Sequence, residues 1–356
     1  MRISERPIDV AHPPYVIAEL GVNHDGRPEE AMALVEAARR AGADAIKLQY
    51  FEADRLLGRA ALLAGYQAKS GVTDPLVMLR ALELSVDEMA VIVRRAQESG
   101  LHAIVSIFSV ELVERAEGVA FDAYKTASTD IIHRPLIEAM MATGKPLIVS
   151  TGAATREEVV EATAWLGDHR HVLMHCVSSY PTRDDDAALG GRLAMLAVNG
   201  NALGYSDHTT AVDTGALAVA SGACLLEKHL TLDCGAGGPD HEASLDPEGF
   251  AEYVRLAHRA WRMRGPAEKR VSEVERDVRT VSRQSLTAAR DLGAGHILGA
   301  GDLTFKRPGI GISPARLEAV IGRALARAIE ADMPLTEEHL APAVEPAGSG
   351  AGHHVR

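Results

Sequence analysis

Short apolar runs alternate with amphipathic stretches between residues 15 and 228 of the chain. The runs are Tyr15–Leu20, Ala45–Gln49, Ala103–Ser106, Ala123–Thr126, Leu147–Ser150, Val172–Cys176, Ala202–Ser206 and Leu225–Lys228. Eight short buried strands that alternate with helices predict an α/β fold of the (β/α)8 TIM barrel type. An open doubly wound sheet is the alternative, although no GxGxxG motif follows any of the runs.

Helix start and stop signals separate the strand candidates. The segment Pro28–Gly42 has a proline at its start, acidic residues in its first turn and a terminal glycine. The segment Ser85–Gly100 begins with Ser85, and Glu88 follows three residues later, which is a capping-box pattern. These signals favour helices between the strands and support the barrel.

The periodic pattern ends after Met263 and divides the chain into four predicted parts. Residues 1–263 form the barrel, and the charged segment 264–282 is interpreted as a partly helical linker. Residues 283–343 contain short β-prone pieces broken by glycine, which predict a small β-rich domain. The small and polar segment 344–356 is expected to be a flexible tail.

Composition restricts the classes of function. The chain has 356 residues and a formal net charge of -12, so an extended nucleic-acid or anionic-membrane surface is not expected. Its N-terminus has no apolar signal core, and no run is long enough to span a membrane. Its three cysteines form no CxxC pair, which is typical of proteins in a reducing cytosol. We expect a soluble cytoplasmic protein.

Polar and ionisable side chains follow the carboxyl end of every predicted strand, where TIM barrels hold their functional groups. They include Glu19, Lys47, Gln49, Ser106, Lys125, Ser128, Asp130, Ser150, Ser178, Tyr180, Ser206, His208 and His229. The two lysines and the serine hydroxyls could surround one phosphate group, because lysines supply charge and hydroxyls donate hydrogen bonds. A lone lysine near a strand end is more often a solvated surface residue, but convergence from several strands favours a pocket.

Two histidines, His208 and His229, follow successive predicted strands and could share a divalent metal ion. An ordinary hydrogen-bonded role for each imidazole is equally open, because the sequence has no HExxH motif and no Cys/His cluster. The adjacent Asp207 and Glu227 could orient the imidazoles. Asp240, in the glycine-rich stretch after the last predicted strand, could accept hydrogen bonds from sugar hydroxyls.

Several blocks of sequence match one known family in order. They are YVIAELGVNHDG, GADAIKLQ, YKTAS, PLIVSTG, HCVSSYPT, GYSDHT, EKHLTLD and GPDHEASLDPEGF in the barrel, and SRQSLTAARDL, DLTFKRPGIGISP and VIGRALARAI beyond it. Over residues 13–342 the chain resembles the sialic acid synthase family, which includes N-acetylneuraminate, legionaminate and pseudaminate synthases and spore-coat relatives. The C-terminal blocks resemble the family's antifreeze-like SAF domain, a β-clip fold.

The resemblance implies a transferase of the EC 2.5.1 type that condenses phosphoenolpyruvate with an open-chain N-acylated amino sugar. The product would be a nonulosonic, sialic-type acid, and phosphate would be released. The resemblance also implies a divalent metal ion that polarises the aldehyde oxygen, with Mn2+ expected foremost and Co2+ or Mg2+ as alternatives.

Site residues are carried over at the matching positions. The implied metal ligands are His208 and His229. The implied phosphoenolpyruvate contacts are Lys47, Ser106, Lys125, Ser128, Ser150, Ser178 and Ser206. The implied sugar contacts are Gln49, Tyr180, Asp240 and Arg307. The implied catalytic carboxylates are Glu19 and Asp130, and either of them could be the base that activates water.

Arg307, in the motif KRPGIG, is implied to reach the barrel of a neighbouring subunit and to contact the acyl-amino group of the sugar. A domain-swapped homodimer is therefore expected. Four places depart from the family pattern. The segment 106–109 reads Ser-Ile-Phe-Ser where Ser-Thr-Pro-Phe-Ser is usual, Asp130 replaces the usual Glu, Ser178 stands where Asn is frequent, and Gln284 stands where a second Arg is common. Because these departures fall partly around the sugar, the acceptor stays open between N-acetylmannosamine and a 2,4-diacetamido hexose.

Two other functions compete with the synthase. One is an aldol-type lyase acting on another sugar aldehyde, but a Schiff-base aldolase needs one desolvated lysine that is free of phosphate. The other is a non-catalytic sugar-binding homologue. A degenerate copy is expected to lose some of the two histidines, the two lysines and Arg307, whereas this sequence has all of them.

Overall fold

Eight parallel strands follow one another around a closed barrel, and the last strand pairs with the first. The structure is a computed structural model that describes residues 1–61, 74–196, 202–266 and 268–342. The strands are β1 (Tyr15–Gly21), β2 (Ala45–Tyr50), β3 (His102–Ile107), β4 (Ala123–Thr126), β5 (Leu147–Ser150), β6 (His171–Cys176), β7 (Leu203–Asp207) and β8 (Leu225–His229). The predicted TIM barrel is confirmed, and the closure excludes the open doubly wound sheet.

Helices follow the strands and pack against the outside of the barrel. In this unit they are α1 (Pro28–Ala41), α2 (Ala53–Leu56), α3 (Pro75–Ala81), α4 (Val86–Glu98), α5 (Val110–Ala116), α6 (Arg134–Ala142), α7 (Arg156–Leu166), α8 (Asp184–Ala187), α9 (Leu189–Leu196), α10 (Thr214–Ala220) and α11 (Pro247–Arg264). The start of α4 has the predicted capping box between Ser85 and Glu88. Gly42 ends α1 with a φ of 84°, a backbone conformation that favours glycine.

Side chains on each strand alternate between the barrel interior and the surrounding helices. Inward residues near the amino ends of the strands are apolar, and among them Ile17, Ile104 and Ile148 pack together. Toward the carboxyl ends the inward positions become polar, because Glu19 follows Ile17 by two residues and Ser106 follows Ile104 by two. The barrel interior therefore has an apolar layer below and a polar layer above.

A short hairpin closes the amino end of the barrel. Its strands, Arg2–Ile3 and Arg6–Pro7, are antiparallel. Ile3 and Ile8 are buried in the same apolar cluster as the barrel interior. The hairpin does not cover the carboxyl end of the barrel, which contains the polar layer.

A register shift in β1 makes room for the polar layer. The pairing of β1 with β2 changes between Glu19 and Gly21, and Gly21 has a φ of 43°. A Cβ atom at Gly21 would lie 2.5 Å from Glu19 Oε1 and 2.9 Å from Gln49 Nε2. Glycine is required here both for the left-handed backbone and for the space that the two side chains occupy.

A second compact unit follows after Pro266. Strands β9 (Ser285–Ala288) and β10 (Leu303–Lys306) pair antiparallel, and short turns and 3-10 segments connect the rest. The helices of this unit are α12 (Arg276–Ser282) and α13 (Leu317–Val320). Its own buried core includes Leu286, Val320 and Leu335, as expected of a small independent domain.

The predicted linker 264–282 differs from the structure at both of its ends. Helix α11 continues through Arg264, so the barrel unit ends later than residue 263. Helix α12 belongs to the second unit, because the carbonyl of Thr280 accepts a hydrogen bond from the Gly309 N–H at 2.7 Å. The segment looked like a linker because its helix is short, highly charged and exposed.

The predicted tail 344–356 lies outside the described residues. None of the helices in the described part of the chain is long and apolar enough to cross a membrane.

Candidate active site

The carboxyl ends of the barrel strands surround a cavity of about 410 Å3, which we call the reaction cavity. The predicted site residues that line it are Glu19, Lys47, Gln49, Ser106, Lys125, Ser128, Ser178, Tyr180, Ser206, His208, His229 and Asp240. They come from positions far apart in the sequence. The barrel brings them together because all parallel strands end at the same rim.

Four buried ionisable residues form the floor of the reaction cavity, and we call them the charge cluster: Glu19, Lys47, Lys125 and Glu227. Lys47 Nζ lies 3.0 Å from Glu19 Oε2 and 2.9 Å from Glu227 Oε1. Lys125 Nζ is 3.4 Å from the same oxygen of Glu227. The Ser206 hydroxyl donates to Glu227 Oε1 at 2.9 Å. Glu227 thus accepts contacts from three strands besides its own.

Burial opposes charge on every member of this cluster, and pairing offsets it unequally. Burial lowers the pKa of Lys125, and Glu227 compensates only in part. Burial acts the same way on Lys47, but the carboxylates of Glu19 and Glu227 outweigh it and raise the pKa of Lys47. The two lysines likewise outweigh burial at Glu227 and hold its pKa well below the ordinary value. Burial raises the pKa of Glu19 despite Lys47. Lys47 and Glu227 therefore form the firmly ionised pair.

Two imidazoles lie beside the charge cluster. The ring centroids of His208 and His229 are 5.5 Å apart. His208 Nδ1 is 2.7 Å from the Val177 carbonyl oxygen, which makes Nδ1 the donor and leaves a lone pair on Nε2. The neighbour of Nε2 is Ser206 Oγ at 3.4 Å, a hydroxyl that donates at shorter range to Glu227. Burial lowers the pKa of His208 to about 4 and the pKa of His229 well below its ordinary value. Both rings are therefore neutral at pH 7, the form that binds metal ions.

Serine hydroxyls crowd around the backbone of Gly152, directly after β5. A Cβ atom there would lie 2.5 Å from Cys176 Sγ, 2.6 Å from Ser178 Oγ and 2.7 Å from Ser128 Oγ. Ser150 Oγ is buried and has no hydrogen-bond partner among the described residues. Hydroxyl donors around a glycine, which has no side chain to exclude a ligand, are suited to bind an oxyanion.

Three predicted sugar contacts lie near the imidazoles or the charge cluster. The Tyr180 and His208 ring centroids are 4.1 Å apart. Asp240 Oδ2 lies 3.6 Å from His229 Nδ1, and burial raises the pKa of Asp240 to about 7. The Gln49 amide donates to Glu19 Oε1 at 2.9 Å.

Three predicted site residues do not line the reaction cavity. Ser150 is fully buried at the end of β5. Asp130 is in a 3-10 turn after β4, where burial raises its pKa to about 6. Arg307 belongs to the second unit, where its side chain is exposed in the loop after β10.

Comparison with protein families decides the assignment. The NeuB family model matches residues 34–269, and the SAF domain model matches residues 283–341. The chain belongs to the NeuB family. The SAF match agrees with the domain that the sequence predicts there.

Relatives of this NeuB chain are named as acid synthases. The N,N'-diacetyllegionaminic acid synthase of Legionella pneumophila is 34% identical over 336 residues, which cover 92% of this chain and 94% of the relative. Human N-acetylneuraminate-9-phosphate synthase is 30% identical, with 92% of each chain covered. The N-acetylneuraminic acid synthetase of Leptospira borgpetersenii, solved with citrate, has a TM-score of 0.69 and 29% identity, covering 75% of this chain and 90% of that one. The NeuB chain is accordingly an enzyme of the sialic or nonulosonic acid synthase type.

Neither of the two acidic side chains that could orient the imidazoles hydrogen-bonds to His208 or His229 in the described part of the NeuB chain. Glu227 contacts Lys47 and Lys125 instead of orienting the imidazoles. Asp207 faces away from the barrel interior and pairs with Lys228 on the outer face of the strands. The signal for Glu227 was available, because it shares the inward face of β8 with His229, two residues later.

An apolar wall was also missed. Met78, Leu79 and Leu82, on or after α3, line the reaction cavity together with Phe108. Nothing in the sequence distinguishes these residues from ordinary core positions. Only the tertiary structure places these side chains in the wall of the reaction cavity.

A second cavity, of about 710 Å3, adjoins the reaction cavity, and we call it the annex. The two cavities share Met78, Leu82, Tyr180 and Pro239 in their walls. The remaining wall of the annex is Asp25, Val77, Ala81, Cys234, Gly235, Ala236, Gly237, Gly238 and Glu242. Among these described residues two are carboxylates and none is a lysine or arginine. The annex therefore disfavours an anionic ligand.

We expect Gly152→Ala to weaken the binding of inorganic phosphate by about tenfold, because the added methyl group overpacks the space among the hydroxyls. Calorimetric titration with phosphate measures the effect. Gly190→Ala is the matched control, since nothing lies within 4 Å of a Cβ atom at Gly190. Equal phosphate affinity of the two variants would contradict an anion site at Gly152.

Proposed function

We propose that this chain condenses phosphoenolpyruvate with an unphosphorylated N-acylated amino-sugar aldehyde, producing a nonulosonic acid and phosphate. The observation that carries the proposal is a floor of lysines and hydroxyls that shares one cavity with two neutral imidazoles. The names of the relatives, which are acid synthases, support it.

The phosphate of phosphoenolpyruvate would bind at Lys125 and the hydroxyls around Gly152. Lys125 is less strongly paired with carboxylates than Lys47. Its Nζ has one carboxylate oxygen at 3.4 Å, whereas Lys47 contacts two carboxylates at closer range. A phosphate group supplies the negative charge that Lys125 otherwise lacks. The same contacts would stabilise the departing phosphate.

Charge balance supports a divalent cation in the site. Two lysines and two carboxylates leave the charge cluster without formal net charge, whereas phosphoenolpyruvate brings several negative charges. His208 and His229 are chemically suited to hold Mn2+ or Co2+, because both are neutral and His208 presents its Nε2 lone pair. No three metal-binding side chains converge within the described residues, so water and substrate oxygens would complete the coordination. When bound, the ion supplies Lewis acidity to a carbonyl oxygen.

In the proposed reaction, C3 of phosphoenolpyruvate forms a bond to the aldehyde carbon, and water adds at C2. The hemiketal phosphate then loses phosphate by C–O cleavage. Glu19 lines the reaction cavity and Asp130 does not, which favours Glu19 as the base that accepts the proton of water. The Gln49 amide holds the Glu19 carboxylate in place for this step.

The acceptor would extend from the imidazoles toward the annex. Tyr180, which lies against His208, forms part of the wall of both cavities. The apolar side chains Met78 and Leu82 suit acyl groups, and the carboxylates of Asp25 and Glu242 disfavour a phosphate. These contacts support N-acetylmannosamine or a 2,4-diacetamido hexose in preference to a phosphorylated sugar.

Arg307 would act across a homodimer. Its exposed guanidinium has no hydrogen bond or ion pair among the described residues, so it is available for a ligand. A planar cationic donor can bind the carbonyl of an acyl-amino group. We therefore place Arg307 of one subunit over the sugar bound by the partner.

One observation favours the aldol-type lyase as the second candidate. The lowered pKa of buried Lys125 is a property of Schiff-base lysines. Against this candidate, Glu227 is paired with Lys125, and hydroxyls suited to an oxyanion lie close by.

We expect phosphate release from phosphoenolpyruvate to require both an amino sugar and a divalent metal ion. Release should occur with N-acetylmannosamine or a 2,4-diacetamido hexose plus Mn2+, and it should stop in EDTA. N-acetylmannosamine 6-phosphate should react about tenfold more slowly, because the annex carboxylates repel it. A colorimetric phosphate assay measures all three conditions.

Failure with every sugar would contradict the condensation, and fastest release with the 6-phosphate would contradict only the assigned acceptor. Borohydride trapping of pyruvate on Lys125 would instead support the lyase.

Replacing either His208 or His229 by Ala should weaken Mn2+ binding by about a hundredfold, because one of two protein ligands is lost. Electron paramagnetic resonance of free Mn2+ measures the affinity without any turnover. The control is His175→Ala, since His175 Nε2 contacts the Ala187 carbonyl oxygen and the ring does not line the reaction cavity. A variant with wild-type affinity would remove that histidine from the metal site.

Arg307→Ala should raise the KM for the sugar about tenfold or more, with little change in the KM for phosphoenolpyruvate, because only the sugar loses a charged donor. Steady-state kinetics with each substrate varied gives both values. Arg327→Ala is a matched control, an exposed arginine of the same unit paired with Glu338. Equal effects on both substrates would argue against the role over the sugar.

A further inference from the structure

A buried ion pair lies on the outer face of the two strands that lead to the imidazoles. Asp207 of β7 and Lys228 of β8 are opposite each other in the strand register. Both side chains are fully buried, and Lys228 Nζ lies 3.3 Å from Asp207 Oδ1. The reaction described above uses neither residue, since both face away from the reaction cavity.

The pair also holds the backbone directly after β7. Lys228 Nζ donates a hydrogen bond to the carbonyl oxygen of Thr209. The N–H and the hydroxyl of Thr209 both donate to Asp207 Oδ1 at 2.8 Å. The Thr209 hydroxyl is also 2.9 Å from Thr214 Oγ1, at the start of α10. Thr209 is thus held at its N–H, its carbonyl and its side chain.

These contacts surround His208 on both sides along the chain. Asp207 precedes it and Thr209 follows it, while Lys228 directly precedes His229. The carbonyl of His208 accepts a hydrogen bond from the Thr182 N–H at 2.8 Å. Asp207 and Lys228 therefore join β7 to β8 directly beside the two imidazoles.

Stability alone gives a poor account of this ion pair. Apolar residues of similar volume are often as stabilising as a buried pair, because burial of charge is costly. The charged pair makes hydrogen bonds to the Thr209 backbone, and an apolar pair could not make them.

We propose that Asp207 and Lys228 are positioning residues that hold His208 and His229 at the separation required to bind one divalent metal ion. The inference rests on the metal site of the proposed function. Neither residue contacts the ion, so their effect reaches it through the backbone of Thr209 and the two histidines. Loss of such outer contacts weakens metal binding by about 10- to 100-fold in other metal sites.

The test compares a double variant, Asp207→Asn with Lys228→Met, against Leu226→Ala. The double variant removes both charges together and so leaves no unpaired buried ion. Leu226 is fully buried on the same outer face of β8, two residues before Lys228, so its truncation destabilises the same wall without touching the pair. Mn2+ affinity is measured by electron paramagnetic resonance, and stability by urea unfolding of the metal-free protein.

We expect the double variant to unfold at a urea concentration close to that of the wild type and to bind Mn2+ about tenfold more weakly. Leu226→Ala should unfold at lower urea and keep wild-type Mn2+ affinity. Asp207→Asn alone, which preserves the side-chain shape, should also weaken binding. It leaves Lys228 unpaired and should therefore unfold at lower urea than the double variant, and its Mn2+ affinity is a second, independent measurement.

Two results would overturn the inference while leaving the metal site intact: wild-type affinity in both the double variant and Asp207→Asn, or an equal loss of affinity in Leu226→Ala. Absence of Mn2+ binding by the wild type is a different result. It would overturn the proposed metal site, and the positioning role with it.

Discussion

Four charged side chains buried at one end of the barrel interior are the constraint on which the rest of the site depends. Removing Glu19, Lys47, Lys125 and Glu227 from water is costly, and only their mutual pairing offsets that cost. Such pairing requires strands whose carboxyl ends converge at fixed positions, which the closed barrel supplies. It also assigns different tasks to the two lysines. Lys47 is paired with two carboxylates, so in the proposed function Lys125 and the nearby hydroxyls would provide most of the attraction for an anion.

The two faces of the same strands serve different purposes. On the inner face of β8, Glu227 and His229 face the reaction cavity. On the outer face, Lys228 lies between them in sequence and pairs with Asp207 beneath the helices. The inner residues line the cavity in which we propose that the ligand binds, and the outer pair bonds to the backbone of Thr209. Strand alternation therefore lets three consecutive residues contribute chemistry and support at one place.

In the proposed function, selectivity for the acceptor would come from elements outside the barrel strands. Helix α3 contributes Met78, and the glycine-rich loop after β8 contributes Pro239 and the wall of the annex. These elements can change without disturbing the charge cluster, because none of them takes part in its ion pairs. This separation gives a physical reason why relatives with acid synthase names can differ in the sugar that each name specifies.

The sequence by itself determined the order of strands and helices, because strand periodicity and capping signals such as Ser85 with Glu88 are local. It also identified most residues of the reaction cavity, since each lies at the end of a recognisable strand. Only the tertiary structure determined which side chains contact one another. Glu227 belongs with the lysines, Asp207 and Lys228 face outward, and Met78 reaches the cavity from a loop helix. Such contacts depend on which strand ends and helices meet in space, and no local pattern encodes a distance between residues a hundred positions apart.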